Sequence, residues 1–422
     1  MERYKEYKKS VVPGMKEIPS HWKEILNGFL FKENVRKPNE NDIPLSLSQK
    51  DGLIPTDLMK ESSLKTSTYD NWKKVLKHDL VLNRFKAHLG VLMASDYEGM
   101  VSFHYGVYEP QLPLITKYYE LLYHTDIYKG IYAYSSNGMT VGLQNLSNIV
   151  FYSIKGIYPP LAEQEKIVSY LEDKTSKIDA YVADKEKEIE LLQELKQKTI
   201  ADAVTKGLNP DAKMKDSGIS WIGEIPEHWE VKRIASLFTG KVQANTDFKY
   251  HHAFKFYYGT LVPKNEVGDV EEYRDTYVKY SILQKDDIMI NGLNLNYDFV
   301  SQRVAIAPSD GIITSAYVVA RPRKGTNAQY YNYLFKTMDN MKLFHGMGTG
   351  IRLTLSFDEM KKQVVVVPPL DEQQAIVAYI EEKCEKIDKL ASELQSEIDY
   401  LKEYKQRLIA DCVTGQVNVS GV

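Results

Sequence analysis

Three side chains near the middle of the sequence have the types and the order that metal-dependent nucleases use. Pro210-Asp211 is followed by Glu230-Val231-Lys232, which gives the pattern P-D…E-x-K. Two carboxylates can hold Mg²⁺ and activate a water for hydrolysis. However, Pro210-Asp211 directly follows the end of a predicted helix. The matching stretch near the N-terminus has Lys23-Glu24 where the motif needs Glu-x-Lys. A Mg²⁺-dependent nuclease is therefore kept as an alternative only.

Other catalytic patterns are missing from the sequence. An adenine methyltransferase needs an N-P-P-Y-like loop, but the two Pro-Pro pairs stand between Tyr158 and Leu161 and between Val367 and Leu370. The ATP-binding pattern G-x-x-x-x-G-K-[ST] does not occur. The glycines between positions 346 and 350 follow a predicted helix and precede a strand, so they predict a turn and not a dinucleotide site. We expect no catalytic residue and no cofactor in this chain.

The histidines and cysteines do not predict a metal site. None of the nine histidines lies four residues from another with a further ligand nearby. Cys384 and Cys412 fall on one predicted helix, too far apart to form a disulfide. Free cysteines are typical of a reducing compartment, so we expect a cytoplasmic protein. No apolar run has the length of a membrane span, and the N-terminus is charged, unlike a signal sequence.

Two copies of one long helix organise the rest of the chain. Residues 159–209 and 368–418 align without a gap, and 25 of the 51 positions are identical. Each copy starts with Pro-Pro, and Asp371 with Gln374 has the form of a capping box. Apolar residues then recur at heptad spacing, which predicts a coiled coil. The predicted seam consists of Val168, Leu171, Ile178, Val182, Ile189, Leu192, Val377, Ile380, Ile387, Leu394, Ile398 and Leu401.

The matched length and register of the two helices favour pairing with each other. If the segment between them is one compact domain, the first helix leads out to it and the second returns. This connectivity predicts an antiparallel coiled coil. The first copy has Lys185, Lys196 and Thr199 at seam positions, so we expect looser pairing toward its end. Solvated surface helices, or coiled coils formed with other chains, remain open as alternatives.

The segments before the helices are also copies of each other. Lys16–Trp22 matches Gly223–Trp229, and the strand-like Lys77–Asn83 matches Lys285–Asn291. We predict an α+β protein in which two α/β domains, 1–158 and 211–367, alternate with two long helices, 159–210 and 368–422. The domains differ most at 34–68 against 242–276 and just after Asn83 and Asn291. Divergence of this kind fits two modules with different ligands, and drift would produce it equally well.

The charge of the chain is unevenly distributed. The total is −3, and the helical segments 159–210 and 368–422 carry −3 and −5, which leaves +5 for the domains. Mildly basic domains fit DNA binding, although many proteins with such a charge bind no nucleic acid.

These features together resemble the specificity subunits of type I restriction-modification systems. The resemblance covers nearly the full length and rests on P-P-L-x-E-Q at the start of both helices, I-P-x-H-W before each domain, and the twofold alternation. The N-terminal copy departs from the pattern because it lacks a tryptophan matching Trp221. The resemblance implies that each domain is a target recognition domain for one half of a split double-stranded DNA target. The coiled coil would then set the spacer.

The resemblance also implies partners. Two modification subunits would dock on the chain and carry S-adenosylmethionine and the adenine N6 methyl transfer. Restriction subunits, which use ATP and Mg²⁺, would complete the nuclease. The chain itself would catalyse nothing.

The residues that contact DNA are predicted from side-chain chemistry and position. Phosphate contacts need Lys or Arg, and base edges in the major groove are recognised by Arg, Lys, Asn and Gln. The loops after the matched strands and the glycine turn carry such side chains. The candidates are Arg84, Lys86, His88, Lys241, Asn294, Asn296, Gln302, Arg303 and Arg352. For each of them a solvated surface side chain is the simpler interpretation. An adaptor whose domains bind proteins is the second alternative.

Overall fold

The chain forms two compact units, each built around one of the predicted domains. The computed structural model describes residues 2–49, 52–59, 69, 71–136, 145–240, 242–265, 268–296 and 302–419. Unit 1 consists of Met1–Glu186 and Ser396–Val422, and unit 2 of Lys187–Gln395. Both unit boundaries fall inside long helices, so each unit contains one domain and a part of each helix.

Short strands and helices make up the first domain. The strands are β1 (Tyr7–Lys9), β2 (Glu17–Pro19), β3 (Lys23–Leu26), β4 (Phe31–Glu33), β5 (Leu45–Ser48), β6 (Gly52–Pro55), β7 (Lys73–Val75), β8 (Leu80–Asn83), β9 (Leu92–Ala94), β10 (Gly99–Val101), β11 (Tyr105–Pro110) and β12 (Lys155–Tyr158). The helices are α1 (Asn27–Leu30), α2 (Thr116–Tyr123), α3 (Asp126–Ser135) and α4 (Asn148–Ser153), followed by the long α5 (Leu161–Lys206). Single 3₁₀ turns span Thr56–Leu58 and Ala87–Leu89.

The second domain repeats this pattern. Its strands are β13 (Met214–Asp216), β14 (Glu224–Pro226), β15 (Glu230–Arg233), β16 (Phe238–Thr239), β17 (Phe254–Tyr257), β18 (Thr260–Pro263), β19 (Ser281–Leu283), β20 (Ile288–Ile290), β21 (Val304–Ile306), β22 (Gly311–Ile313), β23 (Val318–Pro322) and β24 (Val364–Val367). Its helices are α6 (Ile234–Leu237), α7 (Arg274–Tyr277), α8 (Ala328–Asn340) and α9 (Phe357–Met360), followed by the long α10 (Leu370–Val413). Its 3₁₀ turns span Val270–Tyr273 and Leu343–Met347.

The two units share one strand topology. In unit 1 a four-stranded sheet has the order β4-β11-β8-β9, and in unit 2 the corresponding order is β16-β23-β20-β21. The two-stranded pairs also correspond: β1-β2 with β13-β14, β3-β12 with β15-β24, β5-β6 with β17-β18, and β7-β10 with β19-β22. All of these pairs are antiparallel. The predicted duplication of the domains is therefore confirmed.

The central strand of each sheet is buried on both faces. In β8, Leu80 and Leu82 belong to the large core of unit 1, while Val81 points to a smaller core on the opposite face. In β20, Ile288 and Ile290 occupy the large core of unit 2, and Met289 the smaller one. Because successive side chains of a strand point to opposite faces, a strand buried on both faces must be apolar throughout.

Each large core includes residues from both long helices. In unit 1 these are Ile167, Val168 and Leu171 of α5 with Leu408, Cys412 and Val413 of α10. In unit 2 they are Ala203 and Val204 of α5 with Ile376 and Ile380 of α10. Each domain is therefore completed by the start of its own helix and by the end of the other.

Two tyrosine hydroxyls bind the last turns of the long helices. In unit 1 the hydroxyl of Tyr118 donates to the carbonyl oxygen of Val413 at 2.7 Å. In unit 2 the hydroxyl of Tyr330 donates to the carbonyl oxygen of Val204 at 2.6 Å. The final carbonyls of a helix have no intrahelical donor, so these hydroxyls satisfy groups that would otherwise be buried without a partner. Gly207, with φ of +76°, follows the end of α5.

Within each unit the two long helices run antiparallel. In unit 1 the ammonium of Lys405 lies 2.6 Å from Asp179, and the hydroxyl of Tyr181 donates to Glu397 at 3.1 Å. In unit 2 the ammonium of Lys196 lies 2.7 Å from Asp388. Within unit 1, the contacts move to lower numbers on α10 as the numbers rise on α5. The predicted pairing is confirmed, and the alternative of unpaired surface helices does not hold in either unit.

The predicted seam side chains lie on the covered side of the helices. Val168, Leu171, Val182, Ile380, Leu394 and Ile398 are buried, and Ile178, Ile189, Leu192, Val377, Ile387 and Leu401 are half-buried. Lys196, expected to weaken the seam, instead forms an ion pair with the opposite helix. The predicted capping box is wrong, because α10 already begins at Leu370 and Asp371 lies inside its first turn. Among the described residues, no helix combines the length and apolar character that crossing a membrane requires.

Candidate nucleic-acid interface

The two sequence motifs of each repeat meet at one carboxylate. In unit 1, Glu163 of the P-P-L-x-E-Q motif accepts hydrogen bonds from the indole nitrogen of Trp22 at 3.0 Å and from the hydroxyl of Tyr4 at 2.9 Å. Nε2 of His21 lies 2.7 Å from the other oxygen of Glu163. In unit 2, Glu372 binds Trp229 at 2.8 Å and also contacts His228. The I-P-x-H-W motif therefore anchors the start of each helix to its domain.

The glutamine that follows each carboxylate holds the Pro-Pro segment. Gln164 is fully buried, donates to the carbonyl oxygen of Pro159 at 2.9 Å and accepts from the backbone nitrogen of Ile115 at 2.9 Å. Gln373 donates to the carbonyl oxygen of Pro368 at 2.8 Å. Buried amides need such partners, because an unpaired polar group in a core is costly. These contacts give the Glu-Gln pair of the motif a structural role. They hold the start of each long helix in a fixed position against its domain.

In unit 1 the loop that follows β8 carries the DNA-binding candidates Arg84, Lys86 and His88. It is held to the domain through Glu33. Arg84 donates to Glu33 at 2.5 Å and to the side-chain oxygen of Asn148 at 2.9 Å. Lys73 donates to the same carboxylate at 2.7 Å. Burial acts to raise the pKa of Glu33, but the hydrogen bonds from Lys73 and Asn148 and the charge of Arg84 outweigh it and lower this pKa. Arg84 is therefore engaged in a partly buried network.

The exposed part of this loop carries both charge and aromatic surface. Lys86 is exposed, and His88 is half-buried in the following 3₁₀ turn. Phe85 is 40% exposed and Phe103, on the turn before β11, is 50% exposed. The ring of His104 lies 3.9 Å from that of Phe103 and 6.0 Å from that of Phe85, measured between centroids. The sequence analysis did not identify these aromatic residues as candidates. The feature that could have identified them is the adjacent aromatic pair Phe103-His104 in the turn between two apolar strands.

In unit 2 the structure brings together candidates that are far apart in the sequence. The backbone nitrogen of Leu295 donates to the carbonyl of Leu353 at 3.2 Å, and that of Leu355 donates to the carbonyl of Gly292 at 2.9 Å. A Cβ on Gly292 would lie 2.4 Å from the oxygen of Leu355, so this close approach requires glycine. The loop after β20 and the glycine turn thus form one surface. It carries the exposed side chains of Asn294 and Arg352 and the half-buried Asn296.

Arg303 does not lie on that surface, and its predicted role as a base-reading residue is corrected. Only 2% of the surface of Arg303 is exposed to solvent. Its guanidinium donates to the carbonyl oxygens of Asn291 at 2.9 Å, Leu293 at 2.7 Å and Asn294 at 3.3 Å. An arginine that donates inward in this way cannot also contact bases. Arg303 stabilises the loop after β20 by donating hydrogen bonds to its backbone.

Gln302 lies beside a hairpin tip in unit 2. A Cβ on Gly259, which has φ of +75°, would lie 2.7 Å from the side-chain oxygen of Gln302. The preceding Tyr257 and Tyr258 are 59% and 65% exposed. This hairpin, β17-β18, corresponds to β5-β6 in unit 1, where Gln49 donates to the carbonyl of Leu89. In both units a hairpin therefore borders the loop after the central strand. Lys241 lies outside the described residues.

The nuclease-like residues have structural roles where they are described. Glu230 and Lys232 form an ion pair with each other on β15, which pairs with β24. Asp211 is exposed just beyond the end of α5. Over the described ranges, no group of three or more His, Cys, Asp or Glu side chains is arranged to hold a metal ion. The geometry adds nothing in favour of the nuclease alternative.

The chain is similar over its length to one family of proteins. A family model described as type I restriction modification DNA specificity domain matches residues 23–191 and again 226–400. The putative type I restriction enzyme MjaX specificity subunit of Methanocaldococcus jannaschii is 22% identical, covering 96% of this chain and 95% of the relative. The type I restriction enzyme EcoBI specificity subunit of Escherichia coli is 22% identical, covering 68% of this chain and 63% of the relative.

Solved structures share the fold. A chain from a type I restriction-modification system, solved to explain complex assembly and conformational transition, has a TM-score of 0.68 at 14% identity, covering 95% of this chain and 99% of that one. The HsdS subunit of Thermoanaerobacter tengcongensis has a TM-score of 0.55 at 14% identity, covering 97% of this chain and all of that one (100%). Because the family model matches the chain twice and covers most of its length, the chain belongs to the type I restriction-modification DNA specificity family.

Proposed function

We propose that this chain is the DNA-recognition subunit of a type I restriction-modification complex and that each unit recognises one half of a bipartite double-stranded target. The observation that carries the proposal is the pair of candidate surfaces. The strand pairs described in one unit all have a counterpart in the other, yet the loops at the same edge of the sheet carry different side chains. A common scaffold with different exposed residues is suited to two different half-sites.

The domains would correspond to residues 1–158 and 211–367, and the long helices at 159–210 and 368–422 would set the gap between half-sites. We expect half-sites about one DNA turn apart, the spacing at which two linked modules face the same side of the duplex. The exposed Lys86 in unit 1 and Arg352 in unit 2 would contribute contacts to phosphates or base edges.

The chemistry would be carried by partner subunits. Two modification subunits would dock on this chain and supply S-adenosylmethionine and the transfer of a methyl group to adenine N6. Restriction subunits with ATP and Mg²⁺ would complete the assembly, which would act on DNA in the cytoplasm. This chain would contribute recognition and no catalytic residue. Family membership favours this function over a nuclease and over an adaptor that binds only proteins.

The test is to co-express the chain with the adenine methyltransferase subunit of its own system and to map modified adenines across the host genome. We expect a split motif, in which two specified blocks flank an unspecified gap of fixed length. A continuous motif would mean that only one unit recognises DNA. If the assembled complex modifies no DNA at all, the proposed function is wrong and the adaptor alternative is favoured.

A further inference from the structure

We propose that Phe85, Phe103 and His104, called here the aromatic cluster, contact base pairs in the half-site recognised by unit 1, packing against a thymine methyl group in the major groove. The inference rests on the proposed function and identifies residues that would determine its specificity. Phe85 and Phe103 are 40% and 50% exposed, and the ring of His104 lies next to both of their rings. Exposed aromatic side chains grouped in this way mark an interaction surface.

The sheet holds the cluster in place. Strands β8 and β11 pair with Asn83 opposite Tyr105, so the loop that leaves β8 and the turn that enters β11 lie at the same edge. The side-chain oxygen of Asn83 accepts from the backbone nitrogens of Phe85 at 3.1 Å and Lys86 at 3.2 Å. The turn is closed by a hydrogen bond from Tyr105 to Ser102 at 3.0 Å. Rings attached to a fixed backbone are preorganised for a contact, which lowers the entropy lost on binding.

Unit 2 offers a matched comparison for the turn. Its β22-to-β23 turn is closed by the equivalent hydrogen bond, from Tyr317 to Thr314 at 3.4 Å. At the positions of Phe103 and His104, however, unit 2 has Ser315 and Ala316. The backbone arrangement is kept while the exposed side chains change. Different exposed side chains on the same backbone turn are expected of residues that contact a ligand peculiar to one unit.

Charge around the cluster favours DNA as the occupant. The exposed Lys86 directly follows Phe85, where it can bind a phosphate. The carboxylate of Glu33 below the loop is paired with Lys73 and Arg84, so it presents little repulsion to a polyanion. Phenylalanine is among the side chains that contact the thymine C5-methyl group, which projects into the major groove. A basic and aromatic surface of this kind suits an A·T pair flanked by phosphates.

The test uses the residues of unit 2 in the turn of unit 1. The complex with its modification subunit is prepared with the double substitution Phe103→Ser and His104→Ala, and its affinity for a duplex with the mapped target is measured. We expect binding weaker by about 10-fold, a loss of the order that one mismatched base pair causes. In the genome map, one block should become less specific, while the other block and the gap stay unchanged.

Deoxyuridine, which lacks the methyl group, identifies the contact directly. Replacing one thymine of the affected block should weaken binding by the unsubstituted complex and leave the double variant unaffected. Val11→Ser, which removes a side chain that is 58% exposed elsewhere on unit 1, is the control and should change nothing.

Several results would overturn the inference while leaving the proposed function intact. One is an unchanged split motif with unchanged affinity in the double variant. Another is an equal response of both complexes to every deoxyuridine. Loss of assembly with the modification subunit, with Val11→Ser assembling normally, would make the cluster a protein contact instead. If the unsubstituted complex recognises no split motif, the proposed function itself fails.

Discussion

At the loops after β8 and β20, arginine side chains donate hydrogen bonds inward toward the protein. Arg84 binds Glu33 and Asn148, and Arg303 binds three backbone carbonyls of the loop that it supports. Arginine is suited to this role because its planar guanidinium carries five donors in a fixed geometry. Arginine, a residue type that recognises bases, can therefore also have a structural role. It fixes the conformation of a loop whose other side chains are exposed.

The contrast between Arg303 and Arg352 gives a prediction for unit 2. Arg303→Ala should lower the free energy of unfolding by about 2–4 kcal/mol, because three carbonyls lose their buried donor. Arg352→Ala removes an exposed side chain and should change stability by less than about 0.5 kcal/mol while weakening DNA binding by about 10-fold. Chemical denaturation and a binding titration measure the two effects. Equal stability losses in both variants would contradict the assigned roles.

Glu33 should make unit 1 sensitive to acid. Its pKa in the folded protein is lowered, so its contribution to stability is complete above the ordinary glutamate pKa of about 4.3. That contribution is lost as the pH falls through the lowered value. Glu33→Gln should therefore reduce the melting temperature at pH 7, and the difference from the unsubstituted protein should shrink only as the pH falls below about 4, toward the lowered pKa of Glu33.

Glu98→Gln, at an exposed position of the same unit, is the control for Glu33 and should have little effect at either pH. If the difference in melting temperature between Glu33→Gln and the unsubstituted protein instead grew as the pH was lowered, the pKa of Glu33 in the folded protein would be raised and not lowered.

At the scale of the elements, the long helices carry a symmetric pair of ionic contacts. Lys405 binds Asp179 in unit 1, and Lys196 binds Asp388 in unit 2. Lys196 occupies a position of the apolar seam, and Lys405 lies one heptad after the seam residue Ile398. A charged residue at such a position lowers stability but restricts the register of pairing. These contacts are partly exposed, so each is worth little by itself.

Charge reversal at one contact tests its role in register. Lys405→Asp should lower the melting temperature of the protein by placing two carboxylates opposite each other. The double substitution Lys405→Asp with Asp179→Lys should restore most of the loss, with a coupling energy of about 0.5 kcal/mol. The reversal is measured by thermal unfolding, with the matched pair at Lys196 and Asp388 as a repeat of the experiment. Losses that simply add in the double variant would mean that the two side chains do not interact.

The sequence predicted the elements better than the contacts of single side chains. Heptad spacing located the seam because a helix repeats its faces every few residues, and this periodicity is local. Paired strands such as Leu80–Asn83 followed from apolar runs seen twice. The burial of Arg303 could not be predicted, since it depends on carbonyls contributed by a loop whose path the periodicity does not specify. The exposure of Phe103 could not be predicted either, because aromatic residues are more often found in a core.

At the scale of the whole molecule, unit 1 is built from both ends of the chain. The backbone nitrogen of Asn418 donates to the carbonyl of Glu2 at 2.9 Å, and the hydroxyl of Tyr7 donates to the carbonyl of Gly415 at 2.8 Å. Leu408, Cys412 and Val413 lie in the same core as Trp22. Unit 2, by contrast, is one continuous segment, Lys187–Gln395.

Truncation after Arg407 should therefore affect the two units unequally. The truncation removes four buried apolar side chains, those of Leu408, Cys412, Val413 and Val419. At about 2–5 kcal/mol for each large one, this loss is comparable to the whole stability of a domain. Hydrogen exchange should show protection lost across residues 1–158 and kept across 211–367. Ile380→Ala, at a fully buried position of unit 2, should give the reverse pattern. Uniform loss of protection in both variants would mean that the units do not unfold separately.

The discontinuous composition of unit 1 also has a consequence in time. A ribosome that has finished Glu186 must still add residues 187–422 before the missing part of this unit exists. At about 5–20 residues per second, that takes roughly 10 to 50 s. During this interval the apolar side chains of the first domain that face α10 have no native partner. The half of the protein that is synthesised first is therefore the half that is completed last, and chaperones would have most to protect there.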